Sequence, residues 1–176
     1  MEFKKIELLE FTKIFEEAGL EEAFPLIGRS YKSCCAEGNK PSVYTAVENE
    51  NIIGVAICIK RHKSGGAYIN LFEIRQGYRR RGIGRQLYSF ALKDIGDIPI
   101  TLRYAGKRGG EAYLFWVKMG FVQRHRDGRS HEMINKKYAF LANRNRQGIP
   151  IVAKRVITEK NGVIDVKEID YRNESH

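Results

Sequence analysis

Between Ile74 and Gly84 the chain reads I-R-Q-G-Y-R-R-R-G-I-G, and these residue types at this spacing fit one defined chemistry, the holding of a diphosphate. Gly82 and Gly84 carry no side chain, so an anion can come close to the backbone there. The two glycines open a helical pattern in which Ile83, Leu87, Phe90 and Ala91 share one face. Unpaired N–H groups at a helix start, together with the positive end of its dipole, favour negative charge. Arg79, Arg80, Arg81 and Arg85 surround the turn with positive charge. Two familiar phosphate loops do not fit. A Walker loop closes on Gly-Lys-Ser/Thr, whereas Gly84 is followed by Arg85 and Gln86. A dinucleotide fingerprint wants a third glycine where this chain has Leu87. A solvated basic turn is the plainer alternative, and it leaves two glycines at a helix start without a use.

Such a turn needs a strand to launch it and a sheet to hold that strand. Ala67 to Arg75 is a β-patterned run that enters the turn directly, after the turn residues Lys63-Ser64-Gly65-Gly66. Further on, Ala112, Phe115, Trp116 and Met119 recur at the spacing of one helical face, and Gly120 ends that helix just before Phe121. The R-x-x-G-x-G of Arg79 to Gly84, with Tyr78 ahead of it, and the Lys118-x-Gly120-Phe121 ending resemble the GCN5-related N-acetyltransferase (GNAT) superfamily over roughly residues 3 to 137. The resemblance implies an α/β (α+β) chain with the acyl-CoA N-acyltransferase fold, in which helices flank a central mixed, mostly antiparallel sheet. It also implies acetyl-CoA as co-substrate. The strand before the loop would part from its neighbour, with Ile74, Arg75 and Gln76 holding the pantetheine arm and thioester oxygen. Arg79, Arg80, Arg81, Gly82, Ile83, Gly84 and Arg85 would hold the pyrophosphate, the amides mattering more than the guanidinium groups.

The proton-handling residues depart from the family pattern. A tyrosine four residues before the glycine of Gly-Phe often serves as general acid, and here Trp116 stands there. The asparagine often found seven residues earlier is Gly109. Where many members place a carboxylate base, this chain has Tyr68 and Tyr104, with Glu73 as the acid nearby. The candidates are therefore Glu73 as base, directly or through water, and Tyr104 and Tyr113 as acids. The bland readings are a strand carboxylate paired with an arginine, and aromatic rings in the core. Two mechanisms stay open: a neutral amine attacks without a protein base while water or Tyr113 assists the thiolate, or the fold binds acyl-CoA with little turnover. The intact loop favours catalysis.

At 176 residues and 43% hydrophobic content the chain suits one domain, with residues 1–138 as the acetyltransferase-like part and 139–176 as an extension packed on it. A net charge of +10 favours an anionic partner, and coenzyme A is itself a polyanion. Arg103, Lys107, Arg108, Lys118, Arg124, Arg126, Arg129, Lys136 and Lys137 outnumber Glu111, Asp127 and Glu132, so residues 101–137 are expected to present a basic face. An odd cysteine count with Cys34 beside Cys35 makes a poor disulfide framework and fits a reducing setting. His62, His125, His131 and His176 lack metal-ligand spacing, so no structural metal is expected. The charged N-terminus is no signal peptide and no apolar run reaches membrane-spanning length, which leads us to expect a soluble, cytoplasmic protein without a membrane partner.

Along the chain, a short strand over residues 3–8 precedes an amphipathic helix carrying Leu9, Thr12, Ile14 and Phe15 before Gly19. Residues 21–36 read as helical, with Pro25 in the first turn. Val43–Val47 and Ile52–Ile59 form a hairpin pattern, and Ile98–Tyr104 reads as the strand after the glycine-loop helix. Phe121–Arg126 and His131–Asn135 flank an Asp127-Gly128 turn. The order is βααβββαβαββ. Beyond irregular residues 138–149, Ile151–Thr158 and Val163–Ile169 form a second hairpin around Lys160-Asn161-Gly162, usable as a stabilising sheet edge, a homodimer contact or a flap.

The leading function is acetyl-CoA-dependent N-acetylation of a primary amine by direct attack in a ternary complex. The acceptor is a small molecule or a macromolecule: an amine linked to RNA or DNA, an acidic protein, or an aminoacyl-tRNA. A polyamine would want an acidic pocket, for which Glu16, Glu17, Glu21 and Glu22 are the supply. The alternative from another class is a non-catalytic nucleic-acid-binding module that uses the basic loop as a phosphate clamp.

Overall fold

The computed structural model describes residues 1–28, 41–61, 66–123, 131–142, 153–160 and 163–170. The chain divides into two compact units, Met1–Leu102 and Arg103–His176. In the first, strand β1 (Glu2–Glu7) leads straight into helix α1 (Leu8–Glu17). Strands β2 (Pro41–Glu48), β3 (Asn51–Arg61) and β4 (Gly66–Ile74) follow, then helix α2 (Ile83–Ile95) and strand β5 (Ile100–Arg103). The ladder runs β1-β2-β3-β4-β5, antiparallel until β4, which pairs with β5 in parallel. A parallel pair needs a crossover, and the glycine loop with α2 supplies it.

Near-continuous buried runs, Val43–Ala46 and Ile52–Ile59, make β2 and β3 central strands, and the two residues between them, Asn49 and Glu50, both take left-handed φ of 50° and 64°. That is the turn whose twist matches a two-residue hairpin. Phe11 and Phe15 of α1, spaced four apart, pack with Phe24, Ile27, Val43, Val55 and Ile57 in the core. The face expected from the sequence is corrected here: Leu9 is 84% exposed, and Phe11, absent from the expectation, is buried. With the helix beginning at Leu8, Phe11 and Phe15 fall on one side and Leu9 points away from it. Residues 25–28 are helical with Pro25 in the first position, where its missing N–H costs no bond. Residues 21–24 are not helical, and 29–36 of the expected helix lie outside the described residues, as do Cys34 and Cys35.

The far end of α2 is tied to the sheet. Asp94 accepts hydrogen bonds from the Tyr44 hydroxyl at 2.6 Å and the Lys5 ammonium at 2.9 Å, while Lys60 Nζ donates to the Asp94 carbonyl. The Asp94 carboxyl is thereby held below its usual range, first by Tyr44 and then by Lys5. Burial pushes the Cys58 thiol beneath this cluster up to about 12.

The second unit holds helix α3 (Glu111–Lys118), strands β6 (Phe121–Gln123) and β7 (Glu132–Asn135), and strands β8 (Ala153–Lys160) and β9 (Val163–Asp170). Trp116 is buried and meets Phe121 edge-on at 5.2 Å, so the residue in the family's tyrosine position serves as core. Gly120 stops α3 with a φ of 83°, and its carbonyl accepts the Lys136 amide at 2.7 Å. β8 and β9 pair with Lys160 opposite Val163, so the connection is the two-residue span 161–162 expected for the Asn-Gly hairpin. From β2 to β7 the element order is the one expected, while the expected second helix is seen among the described residues only as the turn at 25–28. No helix among the described residues is long and apolar enough to cross a membrane.

Candidate active site

A bulge in β4 shapes the site. Ile69 faces Cys58 and Leu71 faces Ile57, so the register with β3 shifts by one residue at Asn70. An extra residue bends a strand and increases its twist. The parallel ladder to β5 runs only from Ala67 opposite Ile100 to Ile69 opposite Leu102, ending just where the bulge begins. From there β4 continues for five more residues, Asn70 to Ile74. The last pair of that ladder, Ile69 with Leu102, precedes the stretch for which a separation of the strands is expected.

Alternation along β4 fixes which backbone groups face away from β3. The Arg75 amide bonds the Ile53 carbonyl on β3 at 2.9 Å, so the backbone groups of Ile74 point the other way. Arg79 Nε donates to the Ile74 carbonyl from that side at 3.0 Å. Gly54 on β3 allows the end of β4 to settle: a Cβ there would lie 2.6 Å from Ile74 Cδ1 and 3.4 Å from Leu87 Cδ2. Gln76–Tyr78 then form a single tight turn, closed by the Tyr78 amide on the Arg75 carbonyl at 2.9 Å.

The loop itself is bent twice into the left-handed region. Arg80 has a φ of 63° and Gly82 a φ of 78°, and a side-chain-bearing residue held this way costs about 1–2 kcal/mol. Strain of that kind gathers at functional sites. Gly82 starts α2, and among the described residues no side chain caps the helix and no acidic residue occupies its first turn. The amides at the helix start thus offer donors and the dipole's positive end to an anion. A Cβ at position 82 would meet only Gln86 Nε2 at 3.8 Å, so space and conformation, not a filled neighbour, account for the glycine. Arg80 and Arg85 are exposed. Arg81 pairs with Glu48 at 3.3 Å and lies 5.1 Å over the Tyr78 ring.

Glu73 is buried, which its sequence neighbourhood did not announce. Its Oε2 accepts the amides of Leu26 at 3.0 Å and Ile27 at 3.2 Å, capping the helical turn at 25–28 from a strand nearly fifty residues away. Its Oε1 stands 3.9 Å from Arg79 Nη2. Burial raises the carboxyl's pKa, and the two amides and Arg79 only partly offset that.

In the second unit, Tyr104 is buried and its hydroxyl has no hydrogen-bond partner among the described residues. Its ring meets Tyr113 edge-on at 5.3 Å and stacks on His131 at 4.9 Å, while its amide bonds the His131 carbonyl. A buried hydroxyl without a partner costs free energy unless something else uses it. Tyr113 is half-buried. Sequence reasoning named Tyr104, Tyr113 and the loop, but missed Asn70, Glu48, His131 and the two amides on Glu73. Only Asn70, a polar residue inside an apolar strand, carried a local signal.

The family model described as acetyltransferase (GNAT) family matches residues 2–121. A search of curated proteins gives no match. Among solved structures, the chain is similar to ElaA of Escherichia coli, with 17% identity, a TM-score of 0.55, and coverage of 76% of this chain and 98% of that one. It is similar to Tetrahymena GCN5 at 15% identity and a TM-score of 0.54, over 76% and 94% of the two chains. The PaiA N-acetyltransferase of Thermoplasma acidophilum, solved in complex with coenzyme A, matches at 16% identity and a TM-score of 0.52, over 77% and 99%. At these identities the likeness is one of fold.

Proposed function

Because the chain belongs to the acetyltransferase (GNAT) family, we propose that it transfers an acetyl group from acetyl-CoA to a primary amine, with both substrates bound together. The observation that carries this reading is the glycine-led start of α2, with no side-chain cap and no acidic residue in its first turn, directly after β4. When bound, acetyl-CoA supplies a thioester whose carbonyl carbon takes the amine's lone pair as the thiolate leaves. The solved neighbour that holds coenzyme A on the same fold supports this choice of co-substrate.

The chain's own residues then have separate tasks. Amides of Ile83, Gly84 and Arg85 bind the pyrophosphate, with Gly82 keeping the approach clear and Arg79, Arg80, Arg81 and Arg85 adding charge-assisted contacts. The amides of Ile74 and Gln76 line up the pantetheine arm and fix the thioester for attack, while Arg75, whose amide and carbonyl are taken by Ile53 and Tyr78, holds the end of β4 in place. The departing thiolate takes its proton from water; within the second unit Tyr104, whose buried hydroxyl has no hydrogen-bond partner among the described residues and whose ring meets Tyr113 edge-on, is the candidate acid. The amine attacks in its neutral form and sheds its proton to water. Glu73 is not needed as the base, since Oε2 is already taken up by two amides.

Transfer of labelled acetyl groups, screened over polyamines, aminoglycosides, peptides and aminoacyl-tRNA, tests the reading. At least one amine class is expected to become labelled. Coenzyme binding with no acceptor labelled in any class would instead support a fold that binds acyl-CoA without transferring it.

A further inference from the structure

Glu73 and Arg79 together connect two segments distant in sequence. One Glu73 oxygen holds the Leu26 and Ile27 amides, the other faces Arg79 Nη2 at 3.9 Å, and Arg79 Nε reaches back to the Ile74 carbonyl at 3.0 Å. The Glu73 side chain is only 2% exposed whereas that of Arg79 is 48% exposed, so one member of the pair is fixed and the other can turn outward. Arg79 belongs to the loop that the proposed function gives to the pyrophosphate, and Glu73 immediately precedes Ile74 on the strand that would carry the acyl arm.

We infer that Glu73 is a positioning residue through which occupancy of the phosphate loop is felt at the turn formed by residues 25–28. This rests on the acetyl-CoA reading. Without ligand, the Glu73 carboxylate divides its hydrogen-bonding between Arg79 and the two amides. A phosphate that draws Arg79 outward leaves the carboxylate with the two amides as its partners, and hydrogen bonds to an ionised oxygen strengthen when a competing cation withdraws. The turn then closes more firmly on the end of β4 when the coenzyme is present. Leu26, 42% exposed and anchored through its amide to Glu73, is carried along by that change.

Hydrogen exchange of assigned amides in the ¹⁵N-labelled full chain, measured at pH 8 with and without saturating coenzyme A, tests this without an acceptor or turnover. In the wild type, coenzyme A slows exchange at Leu26 and Ile27 several-fold. Glu73→Gln keeps an acceptor oxygen for the turn but not the charge, so it folds and loses that response; Arg79→Lys, which keeps the charge but not the fork to Ile74, weakens it. Coenzyme binding with unchanged exchange at both amides overturns the coupling and leaves the function standing. Absence of coenzyme binding by the wild type overturns the functional reading and the coupling with it.

Discussion

Replacing Tyr104 with phenylalanine removes a hydroxyl that no other described residue uses. Leaving a buried hydroxyl unpaired costs about 1–3 kcal/mol, so Tyr104→Phe is expected to match or exceed the wild type in urea denaturation. If that hydroxyl protonates the thiolate, the same change lowers kcat by roughly 10²–10⁴ while the KM for acetyl-CoA stays put. A variant of unaltered kcat would remove Tyr104 from the chemistry. Glu73 behaves oppositely: Glu73→Ala strands two amides at the start of a helical turn and is expected to destabilise by about 1–3 kcal/mol, read in the same denaturation series. One of the two candidate residues is thus expected to affect rate and the other fold, although the sequence offered both for chemistry.

The elements present the site through a few close contacts. Gly54→Ala sets a methyl 2.6 Å from Ile74 Cδ1 and 3.4 Å from Leu87 Cδ2, so the Ile74 side chain must move. Overpacking costs about 1–3 kcal/mol and alanine regains about 0.5–1 over glycine in a strand, for a net loss near 1 kcal/mol with weaker coenzyme binding. At the other end of α2, Asp94 is held below its usual carboxyl value of 3.8 by Tyr44 and Lys5. A lowered carboxyl contributes stability above its unfolded value and loses it as pH falls through the folded one. The stability gap between wild type and Asp94→Asn is therefore expected to hold at neutral pH and to shrink below pH 3.8; a gap unchanged down to pH 2 would contradict the anchor. The strands, the hairpins and the glycine-led start of α2 were legible because periodicity and turn residues are local signals. The α1 face was misread because Leu9 and Phe11 are both apolar, and of the two only Phe11 stands one helical turn from Phe15. The Glu73 tie was illegible because its partners are backbone amides far along the chain, which have no residue signature.

At the scale of the molecule, a net charge of +10 exceeds what four arginines at one loop supply. Arg103, Lys107, Arg108, Lys118, Lys136 and Lys137 of the second unit are all exposed, which is the reason to include aminoacyl-tRNA among the acceptors. The most direct measurement is a calorimetric titration of coenzyme A into the wild-type chain and into Gly82→Val, with circular dichroism confirming that the variant is folded. The wild type should bind one equivalent saturably. The variant, whose side chain disfavours the φ of 78° and stands where the phosphates approach, should bind at least about ten-fold more weakly. No saturable heat with the wild type, or equal affinity in a folded Gly82→Val, would contradict the assignment of this loop to the pyrophosphate.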